Sequence, residues 1–333
     1  MLTYNRQDML PVALNSILNQ TYKNFELIVI NDASVDNTLQ ILQQYAKKDK
    51  RIKIVNNATN QGILKNRNLG HSLAKGDYIA WQDDDDISEP TKLEEQVAFM
   101  QEHKDIAVLG TEISLLGTKS MVYLWPTETI PERAEIAFLI GRLPVVFPTT
   151  MWRSDFFNKN NIKFNPDISL SEDFAIYDQV FAHGGKIMTL HKTLYQYRVH
   201  RSNPREYYVK MGILQKKIWR DRWFKFFPNS QYPDSQCKRL KYVKENNIIF
   251  NQKIVDDMYD KHCKTDIFNP TSYELVFVDD DGETQAVVVS KNTQDFYSHK
   301  FKKHGRVMSR KPFDSEVKIL WEKEDNAKVY HYL

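Results

Sequence analysis

Cysteine is scarce in this chain of 333 residues, which contains only Cys237 and Cys263. Two cysteines are too few for the disulfide framework of a small secreted protein, so we expect reduced thiols in a cytosolic compartment. Long apolar runs are missing as well, because none approaches the roughly 20 residues that a membrane-spanning helix needs. We also find no pattern typical of a signal peptide.

The chain also lacks a large net charge of either sign. The chain carries 46 Lys and Arg against 43 Asp and Glu, a net charge of +3, so its overall charge gives no reason to expect nucleic acid as a partner. Hydrophobic residues make up 41% and charged residues 27%, which excludes a disordered protein. The length exceeds that of one average domain.

Short apolar runs alternate with helical patterns in the first half of the chain. We predict strands at 25–30, 52–55 and 77–81, and helices at 38–48, 63–74 and 89–101. Pro90 falls in the first turn of the last helix. The alternation predicts right-handed crossovers and a mostly parallel sheet flanked by helices. Ligands of such sheets bind beyond the carboxyl ends of the strands, where Asp32 and a run of aspartates both lie.

The second half of the chain has a different character. We predict strands at 106–115 and 148–152, a helix at 172–183, and helical structure from about 204 to 263. Beyond that segment, alternating apolar residues predict two hairpins. These are 274–278 with 284–289, joined around Asp280-Asp281-Gly282, and 317–321 with 329–332.

Four consecutive aspartates, Asp83–Asp86, directly follow a predicted strand. Adjacent like charges repel, and carboxylates need either water or a cation around them. One interpretation is a solvated acidic loop. The other is a site for Mg²⁺ or Mn²⁺, ions that use one or two carboxylates and leave further positions to phosphate oxygens.

Asp32 and Arg67 each allow two interpretations. Asp32 suits a turn or a helix cap, and its carboxylate could also accept the N–H group of a nucleobase. Arg67 falls within a predicted helix, where solvent exposure is the default. If it points into the same pocket, it would neutralise phosphate.

Several motifs in the first 200 residues agree in order and spacing with one family. They are Thr3-Tyr4-Asn5-Arg6, SILNQT at 16–21, FELIVINDASVD at 25–36, Asn60-Gln61-Gly62, RNLG at 67–70, AKGDYI at 74–79 and the aspartate run. Together they resemble the opening of family 2 glycosyltransferases. The resemblance implies the Rossmann-like α/β fold called GT-A, and the transfer of a sugar from a nucleotide donor with inversion.

The resemblance also implies roles for individual residues. Asp83 and Asp85 match the Asp-x-Asp motif, whose first carboxylate lies near the ribose and whose last coordinates Mn²⁺ or Mg²⁺. His200 is a second candidate metal ligand, although a histidine at a strand end is often only a surface residue. The implied donor-binding residues are Thr3, Tyr4, Asn5, Arg6, Asp32, Arg67, Asp83, Asp84 and Arg198.

Asp173 matches the residue usually assigned as the catalytic base, with Glu172 second. Inversion requires an activated acceptor hydroxyl, and one carboxylate within hydrogen-bond reach is sufficient. The alternative is that both carboxylates only complement the helix dipole, with Ser171 as the cap.

The sequence departs from the family pattern at several positions. Asn31 stands where an aspartate is usual, and Ala33 and Val35 replace the common glycine and threonine. Asn66 replaces a small residue. The first strand is reduced to Met1-Leu2, so our hypothesis is that the natural chain begins several residues upstream.

We expect three parts, namely a GT-A catalytic domain at 1–204, a basic aromatic helical extension at 205–263 and a β-rich appendage at 264–333. Residues 205–244 contain eleven basic and three acidic side chains, a net charge of +8, with interleaved aromatics such as Trp223. This segment suits an anionic membrane surface or docking on the rest of the protein. The appendage could shape the acceptor site or mediate homo-oligomer formation.

The chain is thus predicted to be a metal-dependent inverting glycosyltransferase with a nucleotide-sugar donor, and the expected nucleotide is UDP. The expected acceptor is a hydroxyl of a glycan or lipid-linked molecule in bacterial capsule or lipopolysaccharide synthesis, and the expected location is cytoplasmic or peripheral at the membrane. One alternative is a polyprenyl-phosphate glycosyltransferase, which needs no base. Another is a non-catalytic binding protein with the same fold. A nucleotidyltransferase would carry a glycine-rich loop, which Thr3-Tyr4-Asn5-Arg6 does not offer.

Overall fold

The computed structural model describes residues 1–116, 122–123, 129–166, 168, 170–198, 205–247, 249–260 and 263, and four further strands as backbone. Two compact units are present. The first unit contains Met1–Ser114 and Leu124–Arg198, and the second contains Leu115–Tyr123 and Val199–Leu333.

The first unit opens with a three-stranded parallel sheet in the order β1-β2-β3. Its strands and helices are β1 (Leu2–Thr3), α1 (Leu10–Leu18), β2 (Leu27–Asn31), α2 (Thr38–Lys48), β3 (Ile52–Asn56) and α3 (Ile63–Leu73). Leu14, Val29 and Leu42 are fully buried between sheet and helices. The predicted apolar strand, covered on both faces, is therefore confirmed, as is helix 38–48.

A second sheet follows in the order β4-β8-β6-β9-β5. In chain order the elements are β4 (Tyr78–Ala80), β5 (Ile87–Ser88), α4 (Lys92–Glu102), β6 (Ile106–Leu115), β7 (Val122–Tyr123), α5 (Pro131–Leu139), β8 (Met151–Arg153), α6 (Ser154–Lys159), α7 (Glu172–Ala182) and β9 (Lys186–Tyr197). Strands β4, β5 and β6 pair antiparallel with β8, β9 and β8. The protein is α/β as predicted, with its parallel pairing concentrated in the first sheet.

The second unit combines helices with a small sheet. Its elements are α8 (Arg205–Phe226), α9 (Gln236–Glu245), α10 (Gln252–Tyr259), β10 (Ser272–Asp279), β11 (Thr284–Ser290), β12 (Gly305–Ser309) and β13 (Val329–His331). The hairpin predicted for 274–278 and 284–289 is confirmed, because β10 and β11 pair antiparallel. The second predicted hairpin stays a prediction, because 317–321 lies outside the described residues; its other strand is present as β13, which pairs parallel with β12.

Trp223 is part of a core within the second unit. It is fully buried, its Nε1 donates to Ser230 Oγ at 2.7 Å, and its ring lies 4.8 Å from Phe227 and 5.4 Å from Tyr242. A membrane contact made by Trp223 is therefore wrong, because this side chain packs against its own unit. No helix among the described residues has the length and hydropathy to cross a bilayer.

Two local predictions are also corrected. Helix α4 begins at Lys92 rather than Glu89, because Glu89 and Pro90 are used by other segments: Glu89 N donates to Leu194 O, and Pro90 O accepts from Thr21 N. The strand predicted at 148–152 is split, with a 3₁₀ turn at Phe147–Thr149 before β8.

A cavity of about 580 Å³ lies within the first unit, lined by both Ile28 of β2 and Tyr78 of β4. The Met1 ammonium at one end donates to Ile28 O at 3.0 Å, and burial lowers the pKa of this ammonium to about 6. Among the described strands, one sheet ends at β1 and the other at β4. The hypothesis of residues upstream of Met1 stays a prediction.

We predict that an added strand stabilises the protein. A five-residue extension before Met1, with β-branched residues at alternate positions, should raise the free energy of unfolding by about 2 kcal/mol or more. The reason is that one or two apolar side chains become buried. A Gly-Ser extension of equal length is the control. Denaturant unfolding that gives the same stability for both chains would contradict the prediction.

Candidate functional site

The loops that follow β1 and β2 are tied together by hydrogen bonds. Asn5 N donates to Ser34 Oγ at 2.9 Å, and Val35 N donates to Asn5 Oδ1 at 2.9 Å. Asn5 and Ala33 both have a positive φ, 53° and 61°. Glycine adopts this left-handed backbone more readily than alanine or asparagine does.

Thr3 and Tyr4 have opposite environments at the end of β1. Thr3 is buried at 2% exposure and its carbonyl accepts from Asp32 N at 2.9 Å, whereas Tyr4 is 47% exposed. Of Thr3 and Tyr4, only Tyr4 therefore presents a side chain on which a flat base could stack.

The Asp32 carboxylate is buried and fully engaged by its own chain. It accepts from Asn57 Nδ2 at 2.8 Å, from Gln61 N at 2.8 Å and from Gly62 N at 2.9 Å. Burial alone would raise its pKa, but the hydrogen bonds from Gln61, Asn57, Asn66 and Gly62 together hold the pKa below its usual value. Asp32 thus anchors the loop that starts α3, and any nucleobase would share an oxygen that is already hydrogen-bonded.

The aspartate run is fixed by polar groups that the motif did not reveal. Gln82 Nε2 donates to the carbonyls of Asp83 and Asp86, and Asp83 N donates to Tyr195 Oη at 3.2 Å. Arg198 contributes through its backbone N, which donates to Asp86 Oδ1 at 2.7 Å, and through Nε, which donates to Asp85 O at 2.8 Å. Arg198 therefore holds the loop of the aspartate run, and its predicted contact with the donor stays a prediction.

Cations compensate part of this negative charge. Arg6 lies 3.4 Å from both Asp84 Oδ1 and Asp85 Oδ2. Burial raises the pKa of Asp84 to about 6 and, together with Asp83, that of Asp86 to about 8. Lys92 is also fully buried and donates to Trp81 O at 3.2 Å; burial lowers its pKa to about 7.

The carboxylates of this loop suit a divalent ion. Mg²⁺ and Mn²⁺ take hard oxygen ligands, and one or two protein carboxylates suffice when phosphate oxygens complete the coordination. The half-buried Asp85, next to Arg6, fits that role. Within the described ranges no group of three or more His, Cys, Asp or Glu side chains forms a closed metal site, and His200 lies outside those ranges.

Helix α7 begins with the predicted catalytic pair. Ser171, at the N-cap position, has a left-handed backbone with φ 70° and makes no side-chain capping hydrogen bond. The dipole interpretation with Ser171 as a side-chain cap is therefore weakened. Burial and then the neighbouring Glu172 raise the pKa of Asp173 to about 7. Glu172 itself accepts from Arg67 Nη1 at 2.7 Å.

Arg67 connects the helix α7 pair with the aspartate run. Burial raises the pKa of Asp83, the Arg67 guanidinium opposes that rise, and Glu172 adds to it. Arg67 also opposes the rise at Asp173. These carboxylates from two segments therefore face one cation and share one space.

The chain is similar in sequence to known glycosyltransferases. The family model described as "Glycosyl transferase family 2" matches residues 1–179. An uncharacterized glycosyltransferase of Haemophilus influenzae is 27% identical over 295 residues, covering 83% of this chain and 90% of that protein. The putative teichuronic acid biosynthesis glycosyltransferase TuaG of Bacillus subtilis is 31% identical over 201 residues, covering 59% of this chain and 76% of TuaG.

A solved structure has the same fold. S. aureus TarS 1-349 in complex with UDP matches with a TM-score of 0.53 and 21% identity, covering 80% of this chain and 72% of that one. Against a longer TarS chain the match covers 41% of its length. The predicted GT-A fold is confirmed.

We predict that Asp32→Asn destabilises the first unit. An amide oxygen cannot replace the charged acceptor for Gln61 and Gly62, so the free energy of unfolding should fall by about 2 kcal/mol. This contribution is complete above the ordinary carboxyl value of 3.8 and is lost as pH falls through the lower folded pKa.

Denaturant unfolding at pH 7 and pH 3 measures this effect. The exposed Asp77→Asn is the matched control and should leave stability unchanged. Equal stability of Asp32→Asn and wild type at pH 7 would contradict the anchoring role.

Proposed function

The chain belongs to glycosyl transferase family 2, and we propose that it moves a sugar from a UDP-linked donor to a hydroxyl group with inversion. The observation that carries this proposal is Asp173, a carboxyl whose pKa of about 7 suits a general base at neutral pH. It lies in the space that Arg67 shares with Asp83 of the aspartate run.

The proposed reaction is a single displacement. The acceptor oxygen attacks the anomeric carbon from the face opposite the diphosphate and gives its proton to Asp173. The new carbon–oxygen bond forms as the bond to the diphosphate breaks, and the electron pair of that bond leaves with UDP. Glu172, held by Arg67 at 2.7 Å, keeps the start of α7 in place while the proton moves.

Donor binding is assigned to the loops after β1, β2 and β4. The exposed ring of Tyr4 is suited to stack on the base. We assign Asp83 and Asp84 to the ribose and the diphosphate. Arg6 forms ion pairs with Asp84 and Asp85. Its guanidinium could instead bind phosphate oxygens, which accept two parallel hydrogen bonds as a carboxylate does. The UDP complex of the structural neighbour TarS supports this donor class.

Asp85 would hold Mn²⁺ or Mg²⁺. When bound, such an ion supplies positive charge that stabilises the leaving diphosphate. His200 stays a candidate second ligand. The likeness to TuaG supports an acceptor in bacterial surface polysaccharide synthesis, with the glycan or lipid-linked hydroxyl presented at the cytoplasmic face.

A basic stripe on α8 supports peripheral contact with an anionic membrane. The stripe consists of Lys210, Ile213, Lys217 and Arg220, whose spacing puts them on one helix face. All four are exposed, and Ile213 is 67% exposed. An exposed apolar residue among cations fits a headgroup surface.

The donor experiment separates this proposal from its rivals. Thermal shifts with UDP, GDP, CMP and dTDP sugars plus Mn²⁺ should show stabilisation by UDP sugars, because a ligand that binds only the folded state stabilises it. Asp173→Asn should keep UDP binding and lower turnover about 100-fold or more. Wild-type turnover should fall below pH 7, where Asp173 becomes protonated.

Two other results of these experiments would favour a different function. Full turnover by a Glu172→Gln, Asp173→Asn double variant would favour a phosphate acceptor that needs no base. Absence of both donor binding and turnover across the panel would favour a non-catalytic binding protein and defeat the proposal.

The membrane contact has its own test. Lys217→Glu with Arg220→Glu should weaken sedimentation with phosphatidylglycerol liposomes at least about tenfold, since each basic residue near such a surface contributes ~1 kcal/mol. Lys238→Glu with Lys241→Glu on α9 makes the same charge change away from the stripe. Lack of binding by the wild type, or equal losses in both variants, would remove the proposal.

A further inference from the structure

Three consecutive residues of α3 bind three separate segments. Asn66 Oδ1 accepts from Asn57 Nδ2 at 2.8 Å, on the side of Asp32. Arg67 reaches Glu172 of α7. Asn68 forms a two-way pair with the backbone of Phe164, donating to its carbonyl at 2.8 Å and accepting from its N–H at 2.9 Å. The first turns of α3 thus link the donor loop, α7 and the segment before α7.

Aromatic rings enclose the Arg67 guanidinium. Its Cζ lies 4.2 Å from the centroid of Phe147, 5.4 Å from Phe164 and 6.0 Å from Trp81. These rings also contact each other, with centroids 5.3 to 5.9 Å apart. A guanidinium between aromatic faces gains cation–π attraction and loses freedom to turn. Only 12% of the Arg67 side chain is exposed, so its direction toward Glu172 is set by packing.

Arg67 is also the cation that faces the charged groups around Asp173. Those groups are Glu172 and Tyr177, both on α7. Burial and Glu172 raise the pKa of Asp173, and Arg67 is the charge that opposes them. The Tyr177 hydroxyl is buried and has no hydrogen-bond partner among the described residues. It therefore donates no hydrogen bond that would stabilise the ionised Asp173 carboxylate.

We propose that Arg67 is a positioning residue for the base: caged by Phe147, Phe164 and Trp81, it holds Glu172 beside Asp173 and favours the ionised form of the Asp173 carboxyl. The proposal deepens the proposed function, because it rests on Asp173 as the base. It also revises the role expected from the resemblance, in which Arg67 approaches the nucleotide. The three rings and Glu172 already surround the guanidinium, whose side chain is only 12% exposed.

The first test titrates Asp173 directly. Protein labelled with ¹³C at aspartate Cγ is followed by NMR, and the Asp173 signal is assigned by its loss in Asp173→Asn. In Arg67→Met the titration midpoint should move up by about one pH unit or more, as expected when a nearby opposite charge is removed. Phe147→Leu, which keeps the arginine and opens the cage, should move it in the same direction by less.

Arg51→Met is the matched control. Arg51 also lies over an aromatic ring, 4.3 Å from the centroid of Phe25, and is also paired with an aspartate, Asp49, at 2.7 Å. It belongs to a different part of the first unit, so the Asp173 midpoint should not move. Arg67→Lys, which keeps the charge, should recover most of the wild-type midpoint and covers the case in which Arg67→Met does not fold.

The second test measures UDP affinity by calorimetry with Mn²⁺ present. If Arg67 acts on the base, Arg67→Met should change UDP affinity less than about threefold, while the acid limb of the turnover profile moves up with the Asp173 midpoint. An unchanged Asp173 midpoint in both Arg67→Met and Phe147→Leu would overturn the proposal. A tenfold or greater loss of UDP affinity in Arg67→Met would overturn it in favour of a donor contact.

These outcomes are distinct from failure of the proposed function. Without turnover on any donor, the NMR titration still decides whether Arg67 controls the charge of Asp173. Full turnover by Asp173→Asn would remove the base assignment and leave the measured coupling intact.

Discussion

The ion pair between Arg67 and Glu172 joins two segments that are 105 residues apart in the chain. Helix α3 carries the arginine and helix α7 begins with the glutamate, so this contact ties α3 to the start of α7, where Asp173 lies. Without a cation here, Asp83, Glu172 and Asp173 would be like charges in a partly buried space, which is costly. The aromatic cage and the Asn68 pair with Phe164 hold the cation in place.

Compensation of buried charge recurs throughout the first unit. The aspartate run is held by Gln82, Tyr195 and Arg198, with Arg6 on its outer side and Lys92 below it. Several of these carboxyls keep raised pKa values because burial outweighs the nearby cations. A site of this kind is poised to take up further positive charge, and it is chemically suited to a divalent ion and a diphosphate.

Sequence patterns predicted the parts that depend on short-range information. Helix 38–48 and the strand around Val29 follow from apolar periodicity, and the aspartate run and Glu172-Asp173 stand out as motifs. The contacts of Arg67 with Glu172, of Asp32 with Asn57 and of Lys92 with Trp81 could not be predicted, because each joins two different elements of the fold. The sequence left open whether Trp223 faces a membrane or packs within the protein, because a basic aromatic helix has the same pattern in both cases.

The most direct test of the account is a crystal structure of the protein with a UDP sugar and Mn²⁺. We expect the Asp173 carboxylate on the face of the anomeric carbon opposite the diphosphate, Asp85 on the metal, and Arg67 still on Glu172. A diphosphate bound by Arg67, or a sugar whose anomeric carbon lies far from Asp173, would contradict it.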